Sequence, residues 1–337
     1  MSSNSKLAKI LVTNPLHDEV HARLAAVGSV DMNPYLEPWS AAELAARIAD
    51  ADAMMGFMTD CVDRSLLQSA PHLRIVACAL KGFDSYDVKA CTDAGIWVSI
   101  VPDLLTEPTA ELGLGLAIAL GRHVRRGDHL VRSGQFQGWR AQLYGRGLQG
   151  SVVAVVGMGR VGQAIVQRLS GFGCARILGV DPQGVPATLA TQVKAAALGE
   201  AMAQADFVFV AVPLSAGALH LIGHRCLESG KPGQLLINVG RGSVVDEEAV
   251  ADALEDGQLG GYASDVYAME DWGLSERPRQ IPVRLLSHPA TVFTPHLGSA
   301  VREVRIAIEH RAADNIIAAL QGKAPPDAIN QPVRVAA

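Results

Sequence analysis

Residues Ser151–Gly162 read Ser-Val-Val-Ala-Val-Val-Gly-Met-Gly-Arg-Val-Gly, an aliphatic run that passes straight into a glycine turn. The run has the length and β-branched content of a buried strand, and Gln163 to Gly173 carry apolar side chains at helical spacing. Strand, Gly-x-Gly-x-x-Gly turn and helix in that order form a cradle for a dinucleotide pyrophosphate. Gly157 permits the tight turn, Gly159 lets the backbone approach the phosphates, and Gly162 lets helix and strand pack closely. Arg160 and Val161 open the helix, whose N-terminal amides attract an anion. Asp181 ends the next aliphatic run and is followed by Pro182 and Gln183, with no arginine in that turn. A carboxylate there accepts from both ribose hydroxyls of NAD and repels the 2′-phosphate of NADP, so the expected cofactor is NAD.

Further runs follow the glycine turn. Ile177–Val180, Phe207–Val212, Leu235–Val239, Tyr262–Val266 and Val292–Thr294 join Val152–Val156 as six expected strands, the number a doubly wound dinucleotide sheet needs. Upstream, Ile10–Val12, Ala53–Phe57, Arg74–Cys78 and Trp97–Val101 alternate with amphipathic stretches such as His17–Val27, which predicts a second, smaller parallel α/β layer. Between the two series the pattern predicts one long helix from Thr106 to Gly134, with Pro108 in its first turn, and then a projecting arm over Gln135–Gly150. A last helix is expected over Ala300–Gln321, and the final fifteen residues, with three prolines, read as a surface tail.

A chain of 337 residues suits two domains, and with 49% hydrophobic but only 5% aromatic residues its core should be aliphatic. The net charge of −5 gives no support for a nucleic-acid partner. The five cysteines are odd in number and contain no Cys-x-x-Cys pair, which argues against a structural metal or a disulfide framework and suits a reducing cytoplasm. The N-terminus lacks the features of a signal peptide, and the most apolar helical stretch, Leu112–Leu120, is far short of the ~20 residues that span a bilayer.

Three segments at the C-terminal ends of expected strands carry chemistry, where open α/β sheets place their ligands. In Asn238–Ser243, Arg241 offers a planar cation for an anionic substrate. In Thr294–Ser299, His296 is the candidate proton acceptor, and in Ser264–Asp271, Glu270 could orient it. Each has an ordinary alternative: Arg241 capping a turn, Glu270 solvated in an acidic stretch, His296 hydrogen-bonded within its loop.

The glycine loop, Arg241-Gly242, Asp265-Val266 with Glu270, and Pro295-His296-Leu297-Gly298 together resemble the D-2-hydroxyacid dehydrogenase family over nearly the whole chain. The resemblance implies a Rossmann doubly wound parallel sheet (104–296, including a dimerisation helix and arm over 104–150) inserted into a smaller flavodoxin-like α/β substrate domain (1–103 plus 297–337). It implies His296, Arg241 and Glu270 as the catalytic group, and a homodimer. It adds Thr109, Lys81, Val212, Pro213, Gly240 and Asp265 to the cofactor contacts. The loop Pro182–Ala187 departs from relatives, which leaves the exclusion of NADP open.

Finer stretches, Gly56–Asp60, Ala79–Asp87, Val101–Leu116, Ser133–Trp139, Gly240–Glu247, Tyr267–Trp272 and Thr294–Arg305, are similar to the phosphonate (phosphite) dehydrogenases of that family. That likeness implies phosphite as the small-molecule substrate, oxidised to phosphate by hydride transfer from phosphorus, with water as nucleophile and His296 as its base. It places Lys81, Gly82, Arg305 and Ser299 on the substrate, Met58 as a wall, and Trp139 and Tyr144 along the pocket. Arg305 could instead be paired with Glu303 or Glu309 along its helix. Two alternatives stand beside phosphite: an ordinary 2-hydroxyacid dehydrogenase or 2-ketoacid reductase, and, from another class, an NAD(H)-sensing interaction protein of the corepressor kind.

Overall fold

Ile10 and Val12 of strand β1 (Ala8–Val12) enter one buried layer and Leu11 enters another, so the strand is covered on both faces. That is the condition a parallel sheet requires. The computed structural model describes residues 7–332. β1 is followed by α1 (Asp18–Ala25), β2 (Gly28–Met32), α2 (Ala41–Ile48), β3 (Ala53–Gly56), α3 (Arg64–Gln68), β4 (Ile75–Cys78), α4 (Val88–Asp93) and β5 (Trp97–Ser99). The strands pair in parallel in the order β2-β1-β3-β4-β5, the flavodoxin-like winding. β2 was not expected: its sequence, GSVDM, contains no aliphatic run, and only its first residue is fully buried.

The second series comprises α5 (Thr106–Gly121), α6 (Val124–Arg132), β6 (Val152–Val156), α7 (Arg160–Leu169), β7 (Arg176–Val180), β8 (Val193–Ala195), α8 (Leu198–Gln204), β9 (Phe207–Val210), α9 (His224–Glu228), β10 (Gln234–Asn238), α10 (Glu247–Glu255), β11 (Leu259–Ser264), α11 (Val283–Ser287) and β12 (Thr291–Phe293). Its seven parallel strands run β12-β11-β10-β9-β6-β7-β8, the Rossmann order with one strand more than expected, the short edge strand β8. Alternation along β6 sends Val153 and Val155 against α5 and α7, and Ala154 and Val156 against α8, α9 and α10. A final helix, α12 (Arg302–Leu320), covers the first sheet together with α1.

The chain packs as two units, Met1–Leu105 with Trp272–Ser275 and Val301–Ala337, and Thr106–Asp271 with Glu276–Ala300. The junctions therefore differ by a few residues from the expected 103/104 and 296/297, and four residues after Asp271 join the smaller unit. No helix among the described residues is long and apolar enough to cross a membrane.

One expectation is corrected. The single long helix is two helices, because His123 adopts a left-handed conformation (φ 56°) between α5 and α6. The cause lies in residues 145–146, which cross the end of α5. Arg146 N–H donates to Gly121 O at 2.8 Å, and a Cβ on Gly121 would lie 2.6 Å from Arg146 O. The described part of the expected surface tail is bonded to the smaller sheet. Ile329 N–H donates to Val98 O, Asn330 Oδ1 accepts from Val98 N–H, and Asp327 pairs with Arg311, so this stretch is sewn along β5. Residues 333–337 of that tail lie outside the described residues.

The loop leaving β3 hangs on a buried acid. Asp60 Oδ2 accepts from Phe57 N–H at 2.7 Å and from Thr13 Oγ1 at 2.5 Å, and the Tyr86 hydroxyl donates to Phe57 O at 2.8 Å. Burial pushes the Asp60 carboxyl from 3.8 up to about 6, against the pull of those two donors. A folded-state value above the unfolded one means that stability is full below pH ~4 and falls as pH rises through about 6, by ~3 kcal/mol in all. Asp60→Asn keeps an acceptor without the charge. Its stability relative to wild type, from urea denaturation, is expected to improve by about that amount between pH 4 and pH 7.5; a difference independent of pH would refute the buried-acid account.

Candidate active site

The glycine turn has the shape its residues demand. Gly157 adopts φ 94°, and a Cβ there would lie 2.6 Å from Ala211 O. A Cβ on Gly162 would lie 1.9 Å from Gly157 O, so α7 rests directly on the turn. Gly159, at the start of α7, has nothing within 4 Å of its Cβ position, and no side chain caps the helix amides. An open approach to uncapped helix amides fits a pyrophosphate. Arg160 is exposed and Val161 half-buried on the first turn. Asp181 ends the neighbouring strand β7; its Oδ2 accepts from Met158 N–H at 2.8 Å and its Oδ1 from Gln183 N–H at 2.8 Å. The carboxylate is thereby fixed beside the glycine turn, with Pro182 exposed next to it.

Gly240 follows β10 and backs onto Val212, which with Pro213 follows β9: a Cβ on Gly240 would lie 2.6 Å from Val212 O. Arg241 is set by an amide switch just upstream. Asn238 Oδ1 accepts from Gly240 N–H and its Nδ2 donates to Arg241 O, both at 3.0 Å. Gly242 then packs against the next loop so closely that a Cβ would lie 1.8 Å from Tyr267 C. Ser243 N–H donates to Asp271 Oδ2 at 2.7 Å. The segment bearing Arg241 and the short 3-10 turn Ala268–Glu270 are therefore locked together.

Within that turn Glu270 Oε2 accepts from Tyr267 N–H at 3.0 Å and lies 3.4 Å from His296 Nδ1. Both side chains are about a quarter exposed, at 28% for Glu270 and 27% for His296, so they are held yet reachable. With Nδ1 turned to Glu270, Nε2 is the ring nitrogen left to take a proton. His296 itself sits at φ 55°, a left-handed conformation that costs a non-glycine residue on the order of 1 kcal/mol.

Asp265 offsets that cost. Its Oδ1 accepts from Thr294 Oγ1 (2.6 Å) and Leu297 N–H (2.7 Å), its Oδ2 accepts from Gly298 N–H (2.8 Å), and its own carbonyl takes His296 N–H (2.9 Å). Burial raises the Asp265 pKa while the three donors pull it back. At 1% exposure the Asp265 carboxylate is the clamp of the histidine loop. Thr109 supports the same loop, its hydroxyl donating to Gly298 O at 3.3 Å, with Ser299 half-buried beyond it.

In the smaller unit, the register Gly56↔Cys78 sets the loops after β3 and β4 side by side. Ala79 N–H donates to Gly56 O, and Val101 N–H to Leu80 O, which leads the half-buried Lys81 and Gly82 out at the C-terminal edge of the sheet. Phe57 and the half-buried Met58 leave β3 at the same edge, and the Arg305 guanidinium, from the first turns of α12, lies 5.9 Å over the Phe57 ring. Burial lowers the Arg305 pKa and Glu309 raises it again. Glu309 is itself bonded to His17 through Nδ1 and the backbone N–H. Trp139 and Tyr144 are 79% and 78% exposed on a segment without regular structure.

Asn238, Asp271 and Glu247 escaped the sequence reading. The only signal for them was their place inside quoted stretches: Asp271 and Glu247 act on backbone more than twenty positions away, and Asn238 on its own turn.

The sequence profile described as "D-isomer specific 2-hydroxyacid dehydrogenase, NAD binding domain" matches residues 114–298. The chain is 35% identical to a glyoxylate reductase of Pyrococcus furiosus over 296 residues, covering 86% of each chain. Its fold superimposes on a Thermus thermophilus protein with a TM-score of 0.86 at 33% identity, covering 96% of this chain and all of that one. An NADPH-dependent glyoxylate/hydroxypyruvate reductase of Sinorhizobium meliloti, solved with NADP and malonate, matches with a TM-score of 0.85 at 29% identity, covering 98% of this chain and all of that one.

Gly242→Ala tests the lock between the two loops. The added methyl drives the Arg241 segment off Tyr267, so turnover should fall at least 100-fold while NADH affinity, read by fluorescence, stays within about threefold. Undiminished turnover would show that the loops are positioned independently.

Proposed function

The chain belongs to the D-isomer specific 2-hydroxyacid dehydrogenase family, and we propose that within it this protein oxidises phosphite to phosphate, as an NAD-dependent dehydrogenase. The observation that carries this reading is the cation set at the C-terminal edge of the smaller sheet. Lys81 and Arg305 stand there, two cations more than the single guanidinium that a monocarboxylate needs. Phosphite carries up to two negative charges on a compact centre. Each cation at ~4 Å contributes on the order of 4 kcal/mol at an effective dielectric of 20, before desolvation is subtracted.

In this reading Arg241, Lys81 and Arg305 hold the anion, and neutral His296, oriented by Glu270, takes the proton of a water as its oxygen bonds to phosphorus and the P–H bond breaks. When bound, NAD supplies the hydride acceptor. The products are phosphate, NADH and a proton on His296. Asp181 favours NAD, since its charge repels a 2′-phosphate. A homodimer belongs to the same proposal, supported by Phe136, Trp139 and Tyr144 exposed on one arm.

A second reading is favoured by a specific observation: similar relatives carry the name glyoxylate reductase. In it the same Arg241, Glu270 and His296 would serve reduction of a 2-oxo acid, with His296 as proton donor.

The two readings separate by absorbance at 340 nm. Purified protein with NAD and phosphite should form NADH, and Lys81→Ala should lower kcat/KM at least 100-fold. Rapid oxidation of NADH by glyoxylate with no phosphite-dependent NADH formation would replace the first reading by the second.

A further inference from the structure

One buried acid of the larger unit lies outside this chemistry. Glu247, the first residue of α10, is 6% exposed, yet its backbone neighbour Asp246 already caps the helix by accepting from Glu248 N–H and Ala249 N–H. Its own carboxylate does something else. Oε1 reaches Ala268 N–H at 2.9 Å, while Oε2 is buried with no hydrogen-bond partner. Ala268 opens the turn that bears Glu270, and Ala268 is also the residue whose amide a Cβ on Gly242 would strike at 2.1 Å. Glu247 therefore grips the point where the Arg241 segment and the Glu270 turn meet.

We infer that Glu247 is a positioning residue of the reaction, holding the Ala268–Glu270 turn through its bond to Ala268 so that Glu270 faces His296. The inference rests on the reading that His296 and Glu270 perform the proton transfer. It also implies a proton. A buried oxygen without a donor cannot carry charge cheaply, and the groups facing Glu247 make that worse: Asp271 and Glu270 from the turn, Glu248 on its own helix, and the phenols of Tyr262 and Tyr267 from β11 and beyond. Arg284 of α11, which packs against α10, is engaged with Glu248, Asp252 and Glu255 on the exposed side. Burial, opposed by the Ala268 bond and reinforced by those carboxylates, pushes Glu247 up from 4.5 to about 7. Glu247 is accordingly neutral below pH ~7, and above it a negative charge develops within electrostatic reach of Glu270. That charge repels Glu270 and loosens the turn.

Glu247→Gln keeps an oxygen for Ala268 N–H and cannot ionise; Glu247→Ala removes the grip. With the substrate that wild type turns over, Glu247→Gln should retain kcat within about threefold at pH 6 and lose the decline in kcat that wild type shows through pH 7–8. Glu247→Ala should lower kcat at least 30-fold with NADH affinity unchanged. Wild-type and Glu247→Gln pH profiles that superimpose, or an Ala variant with wild-type kcat, would overturn the inference. If Glu247→Ala does not fold, the Gln profile alone decides. A wild type inactive on both phosphite and glyoxylate would be a failure of the functional reading instead. The NMR titration of the His296 ring then still decides: a second inflection near pH 7 that vanishes in Glu247→Gln supports the grip, and identical curves refute it.

Discussion

The larger unit depends on one buried carboxylate. Asp265 sits at the end of β11, almost without solvent, and spends both oxygens on the residues around His296. A charge-assisted acceptor with three donors in a dry site is worth more than the strain of a left-handed histidine. That surplus is what lets His296 stand in a conformation glycine would otherwise take, with its Nδ1 toward Glu270. Without the carboxylate, the amides of Leu297 and Gly298 would be left unpaired and the loop would relax to ordinary dihedrals.

A second constraint brings the guanidinium into the same frame. The Arg241 segment and the Glu270 turn come from different strands, β10 and β11, and meet where only a glycine fits, at Gly242. Asp271 and Glu247 close that contact from two sides by accepting Ser243 N–H and Ala268 N–H. Arg241 and Glu270 are thus carried by backbone that cannot move piecemeal, which is how a protein fixes side-chain geometry to a fraction of an ångström.

Much of this was legible in the residues because parallel sheets place function at strand ends and mark the strands with aliphatic runs. SVVAVVGMGRVG gave strand, turn and helix together, and NVGRGS, SDVYAME and TPHLGS fell after β10, β11 and beside β12. What escaped had no local signature. β2 and β8 are edge strands with polar or charged residues, so no aliphatic run announces them. The break between α5 and α6 is set by residues 145–146, which no window on the helix contains. The hold of Asp265 on the histidine loop was equally hidden, because its partners come some thirty positions later.

Family membership and the cradle for NAD hold whichever oxyanion is the substrate; the histidine loop is the shared requirement. The most direct test is to compare turnover and NADH affinity in Asp265→Asn, which is isosteric but replaces an acceptor oxygen by a donor. If the carboxylate holds His296, kcat falls at least 100-fold while NADH binds as in wild type. Preserved turnover with a collapse of NADH affinity would contradict the account and return Asp265 to the cofactor.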